Sequence, residues 1–191
     1  MIRVNRCTAL TAVLGALMLC ALPARAGDWT PAVEVRHDET LSISYQAKLD
    51  GPNLLVRATI EPGWHTFAMD NQVRAEEKLA GKPSLGIDQP TKITLTGGGL
   101  QVAGPWRQTA PLEFSKPELR WFSWGFERQA VFAARVRRTA SGTVRIGIRG
   151  QACTETVCRN IDVTIPLPLP KPNKEADTAA DIALTGLVPV R

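Results

Sequence analysis

Apolar residues recur along this chain with a period of two. Leu41, Ile43 and Tyr45 alternate with Ser42 and Ser44, and Leu54, Val56, Ala58 and Ile60 alternate with Leu55, Arg57 and Thr59. The pattern returns later: Val144, Ile146 and Ile148 alternate with Arg145, Gly147 and Arg149, and Ile161, Val163 and Ile165 alternate with Asp162 and Thr164. Such alternation sends one set of side chains into a core and the other into water. Turn signals break the runs at Asp50-Gly51-Pro52, Pro62-Gly63 and Gly97-Gly98-Gly99, a spacing typical of sandwiches. Only Gln72 to Ala80 reads as a helix, and a short one. The pattern predicts an all-β, antiparallel β-sandwich. There is no internal repeat and no glycine motif for a dinucleotide or a phosphate.

The ends of the chain change the picture. MIRVNR carries Arg3 and Arg6 and no acid; an apolar run follows, then Ala24-Arg25-Ala26 before Gly27. A basic start, an apolar middle and an A-x-A end predict a secretory signal over residues 1–26, cleaved after Ala26. Cleavage removes Cys7 and Cys20. A lipoprotein anchored at Cys20 is disfavoured by Leu19, which stands where a small residue is needed, and an uncleaved anchor helix is the other alternative. No later segment has the roughly 18 consecutive apolar residues that a span requires. The expected product is soluble and exported, to a compartment that permits disulfides. Residues 27–170 are expected to form one domain and residues 171–191 a tail led by proline. From Pro166, PLPLPKP favours extended polyproline conformation, and a last segment from Ile182 to Val190 is a candidate to pack back.

Charge matters less than it first suggests. The chain has 23 Lys and Arg against 18 Asp and Glu, a formal charge of +5; without the signal's three arginines, 20 stand against 18. The arginines of residues 128–159 mostly alternate with apolar residues, as on a wet strand face, and no nucleic-acid motif accompanies them. Nucleic acid is not an expected partner, and a monomer is expected.

Two cysteines remain, Cys153 and Cys158, in GQACTETVCRN. One period-two run enters the pair and another leaves it, which predicts a β-hairpin with one cysteine at each shoulder of its loop. Cross-strand neighbours lie about 4.5–5.5 Å apart, within reach of a disulfide. Closing a ring of six residues stabilises by only about 2 kcal/mol, against about 4.7 for a loop of a hundred. Such a bond adds little as a staple between strands already paired, which favours redox exchange. A structural disulfide in a non-catalytic adaptor or chaperone module is the alternative. A third reading is copper held by Cys153, Cys158, His65 or Met69. It is weak, because His37 and His65 are the mature chain's two histidines and neither shows metal-ligand spacing. No histidine follows Cys158, so c-type haem attachment is excluded by pattern.

At these residues the chain resembles the N-terminal periplasmic domain of the thiol:disulfide interchange protein DsbD. The likeness is carried by GQACTETVCRNIDVTIPL from residue 150, by IEPGWHTFAMDN over residues 60–71, and by ELRWFSWGFERQAVFAARV over residues 118–136. The resemblance implies an immunoglobulin-like sandwich in the periplasm that passes reducing equivalents. A membrane-embedded DsbD- or CcdA-like reductant would supply them, and periplasmic clients with a thioredoxin fold would receive them. It implies that Cys158 exchanges with partners and Cys153 resolves, with no cofactor beyond the disulfide and no metal. It also implies an aromatic cap over the pair, for which Trp121, Phe122 and Trp124 are candidates. Trp64 and Phe67, three residues apart, are assigned to packing rather than to contact with the pair. Arg159 and Glu155 are candidate modulators of the thiolate, of opposite sign. Two departures from the family stand out. Its membrane and thioredoxin-like domains are not expected within these residues, and Arg159-Asn160 replaces the residues usual after the second cysteine.

Overall fold

The computed structural model describes residues 27–80, 82, 88–169, 171 and 184–191. The segment expected to be a signal and most of the expected proline-led tail lie outside the described residues. In chain order the strands are β1 (Val33–His37), β2 (Thr40–Asp50), β3 (Asn53–Ile60) and β4 (His65–Phe67), then helix α1 (Asn71–Lys78). There follow β5 (Lys92–Thr96), β6 (Leu100–Gln108), β7 (Leu112–Glu113), β8 (Trp124–Phe126) and β9 (Gln129–Arg138). Finally come β10 (Gly142–Cys153), β11 (Cys158–Leu169) and β12 (Val188–Pro189).

One sheet has the order β1-β2-β3-β9-β6-β12 and the other β11-β10-β4-β8-β7, with β5 paired to β10. All the pairings are antiparallel. The inward residues of both sheets form one core. Ile43, Tyr45, Val56 and Phe132 come from the first sheet, and Phe126, Val144, Ile146, Ile148 and Ile165 from the second. Each fully buried aliphatic or aromatic side chain contributes about 1.5–3 kcal/mol relative to exposure. This is an all-β sandwich, as the alternation predicts, and an immunoglobulin-like one, as the resemblance implies.

The outer faces depart from strict alternation in places. Leu55, on the polar side of β3 by its spacing, is buried. That face is not bare. Trp29 lies over it, 4.3 Å from the Arg57 guanidinium and 5.3 Å from the Lys48 ammonium, and cation–π contact on an aromatic face of this kind is favourable.

The proline run differs from expectation as well. Pro166 and Pro168 lie within β11, opposite Arg145 and Thr143. The edge position explains it: β11 ends the sheet, so prolines two apart withhold N–H groups on one side of a strand that needs to bond on one side only. Leu167 and Leu169, which alternate with them, are buried. The C-terminal residues do pack back. β12 pairs with Arg107 and Gln108 of β6, and the Val190 N–H donates to the Trp106 carbonyl at 3.0 Å.

The predicted helix is α1. Its Arg74 bonds Asp70 at 2.8 Å, and Asp70 also accepts from Gln108 Nε2 and from the Arg191 N–H. Burial alone would push the Asp70 carboxyl up. Those hydrogen bonds and the Arg74 charge outweigh burial and hold it below its ordinary value.

Candidate functional site: a disulfide beneath a hairpin

β10 and β11 pair in register over their full length, ending with Cys153 directly opposite Cys158. Their Cα atoms are 4.0 Å apart and the sulfurs are joined. The four residues between them form a tight turn. The Thr154 N–H donates to the Val157 carbonyl at 2.8 Å, and the Thr154 hydroxyl accepts the N–H groups of Thr156 and Val157. A side chain that caps its own turn in this way fixes the loop locally. The two sulfurs are not equivalent. Cys153 is buried at 1 % exposure, whereas Cys158 is partly exposed.

The other edge of β10 brings the rest of the site. His65 stands opposite Cys153 in the ladder with β4, β4 pairs with β8, and β8 with β7. β7 and β8 are the legs of a second hairpin, continued by Phe114 N–H to the Ser123 carbonyl at 2.8 Å and by a bridge between Lys116 and Trp121. A 3₁₀ turn, Pro117–Leu119, and a left-handed Arg120 close its tip. Gly125 permits the close approach at its base: a Cβ there would lie 2.1 Å from the Thr66 carbonyl oxygen.

Between the two hairpins is a cavity of about 620 Å³ lined by both cysteines, the 154–157 turn, His65, Phe67, Asp88, Phe114, Lys116, Trp121, Ser123 and Glu127. His65 stacks on Phe114 at 4.9 Å and meets Phe67 edge-on at 5.4 Å. Burial lowers the His65 pKa and prevails over Asp88 and Glu127, which raise it, while Lys116 adds to the lowering. His65 is therefore neutral at physiological pH. The Trp121 indole N–H donates to Asp88 Oδ2 at 2.5 Å, and the Lys116 ammonium lies 5.4 Å from the same ring.

Of the three cap candidates, only Trp121 lines this cavity. Trp124 borders a separate one with Arg74, Glu77, Lys78 and Arg191, and its N–H is held by Asn71 Oδ1 at 2.7 Å. Phe122 is half-buried and outside the lining of the disulfide cavity. Of the two modulator candidates, Glu155 lines the cavity and Arg159 is exposed on β11 outside it. Trp64 packs against the core, as assigned. Phe67 is buried, as assigned, and also borders the cavity; it shares a face of β4 with His65, two residues away, and meets it edge-on.

His65, Phe114 and Asp88 were not singled out by the sequence reading as companions of an exchanging pair. Met69 packs on the core, its N–H bonded to Gln108. The group that gathers with the sulfurs is the Asp88 carboxylate, the three donor atoms lying within 4.8 Å of one another. Sulfurs joined to each other offer no thiolate to a metal, so any ion there would require the reduced pair.

Solved structures share this fold. The chain is similar to the N-terminal periplasmic domain of ScsB from Proteus mirabilis, with a TM-score of 0.53 and 17% identity, over 75% of this chain and 52% of that one. The match thus spans about half the length of that structure. It is also similar to the N-terminal domain of DsbD from Neisseria meningitidis in the reduced form, with a TM-score of 0.39 and 12% identity, over 66% of this chain and 85% of that one. No family model matches the chain, and no curated protein matches it. Among the described residues no helix is long and apolar enough to cross a membrane.

Proposed function

We propose that the chain is a periplasmic thiol–disulfide exchange protein. It relays reducing equivalents from a membrane-embedded DsbD- or CcdA-like reductant to periplasmic clients of thioredoxin fold. The observation that carries this reading is the asymmetry of the pair: a buried Cys153 and a partly exposed Cys158, facing a cavity large enough to admit another protein's side chains. A staple needs no such access.

The chemistry follows from that asymmetry. A thiolate of the reductant attacks Cys158 Sγ in line with the bond to Cys153. A mixed disulfide forms, and Cys153 leaves as a thiolate that takes up a proton. The reductant's second thiol then attacks its own sulfur in the mixed disulfide, releasing Cys158 as a thiol. Two electrons and two protons have entered the pair. Toward a client the steps run in reverse, with Cys158 as attacking thiolate and Cys153 resolving the mixed disulfide. Trp121 and Phe114 form the cap that limits misdirected exchange, and the cap hairpin moves aside when a partner docks. Of the two charged candidates, Glu155, which lines the cavity, is the one placed to oppose thiolate formation at the pair.

The test is capture in the native periplasm. Cys153→Ala is expected to accumulate mixed disulfides through Cys158, identifying donor and client together, and the wild-type pair is expected to have a reduction potential above about −300 mV. A pair that traps nothing and resists glutathione would leave a sandwich with an incidental bond.

A further inference from the structure

Asp88 is half-buried in the connection that enters β5, outside any strand. Its Oδ2 accepts the Trp121 indole N–H at 2.5 Å. Its Oδ1 is buried and, among the described residues, has no hydrogen-bond partner. A carboxylate oxygen of Asp88 and the two sulfurs lie within 4.8 Å of one another. Leaving a buried acceptor unpaired is costly, and a disulfide has no proton to give it.

We infer that Asp88 is a positioning residue that holds the cap through one oxygen and answers the redox state of the pair through the other. With the bond closed, it latches Trp121 through one oxygen. With the pair reduced, its other oxygen accepts an S–H from the pair and holds that sulfur as a thiol. The inference takes from the proposed function only that the pair is reduced in its working cycle. Reduction breaks the S–S bond, adds two electrons and two protons and leaves two S–H groups, so a donor for the vacant oxygen exists in one redox state alone. Ionising the bonded thiol would set a second negative charge beside the carboxylate, which disfavours the thiolate. The other titratable groups facing the cavity are His65, Lys116, Glu127 and Glu155. With His65 neutral, Lys116 is the one cation among them, so these groups do not cancel the carboxylate. Asp88 thus keeps the reduced pair unreactive beneath a latched cap until a partner displaces the Trp121 contact.

Reduced wild type and Asp88→Asn are compared by thiolate absorbance against pH and by the rate of alkylation by iodoacetamide at pH 7. Asparagine keeps an oxygen for Trp121 and lacks the charge. The thiol titration should move to lower pH. Alkylation should speed up about threefold, a roughly tenfold gain in thiolate being partly offset by its weaker nucleophilicity. A titration that stays in place or moves upward overturns the inference. Trp121→Phe removes the latch and keeps the charge; it should speed alkylation while leaving the titration where it was, and an equal titration shift in both variants also overturns the inference. Should Asp88→Asn fail to fold, wild type alone decides. The infrared difference between its reduced and oxidised forms should contain a carboxylate shift absent from the double cysteine variant, and a flat carboxylate region overturns the inference. Exchange with reduced thioredoxin, measured in parallel, separates the two claims. A pair that exchanges nothing but whose titration responds to Asp88→Asn loses the relay and keeps this role. A pair that exchanges normally with an indifferent titration loses this role alone.

Discussion

Between Val144 and Arg149, β10 alternates as its sequence does, with Val144, Ile146 and Ile148 fully buried and the arginines exposed, whereas from Gly150 to Cys153 four successive residues are buried. The first stretch pairs with β5 and shows its second face to water. The second pairs with β4 and is covered on both faces. Even a polar side chain is enclosed there: Gln151 Oε1 accepts the Gln89 N–H at 3.0 Å, and the Gln151 carbonyl accepts the Thr66 hydroxyl at 2.8 Å. One strand thus serves as core wall at one end and as sheltered site floor at the other. The alternation ends where the shelter begins, and the backbone hydrogen bonds run through both.

If that division is real, the two ends respond differently to substitution. The largest effect is expected at the wall. Ile146→Ala should cost about 2–5 kcal/mol of unfolding free energy in urea, with the exchange chemistry of the folded fraction unaltered. A smaller loss belongs to the floor. Replacing Cys153 and Cys158 together by Ser should cost at most about 2 kcal/mol, since the closed ring is short and its strands are already paired; a much larger loss in calorimetry would make the bond a staple. The smallest effect lies away from both ends, at Asp70. Its folded-state value is depressed from 3.8, so its contribution is complete above that ordinary value and is lost as pH falls through the folded one. Asp70→Asn should therefore flatten part of the decline in thermal stability on acidification and leave neutral-pH redox behaviour unchanged.

The sandwich was legible because one face of most strands is wet, so that period two survives in the sequence at β2, β3, β10 and β11. The cysteine hairpin was legible for the same reason, since two such runs flank it. The remainder of the site was not. Phe114 follows a strand of only two residues, Asp88 sits in a stretch without periodicity, and both come to the cavity from positions distant in sequence from the cysteines. His65 did leave a signal. It alternates with Phe67, and a period-two reading of His65 and Phe67 would have set both on one face of β4. The two tryptophan candidates for the cap are not ranked by order alone, because Trp121 and Trp124 differ in what lies opposite them: Asp88 for one, Asn71 and the end of α1 for the other.

The short strand β4 has a mechanical consequence. Among the described residues, the ladder joins the proposed cap hairpin to β10 through β4, by two residue pairs on each side, while β5 holds the same edge of β10 over five. Swinging the roof away therefore strains a narrow joint and leaves the long beam beneath it braced. Opening of the proposed cap would thus be confined to that joint, away from the pairings that hold β10 in its sheet.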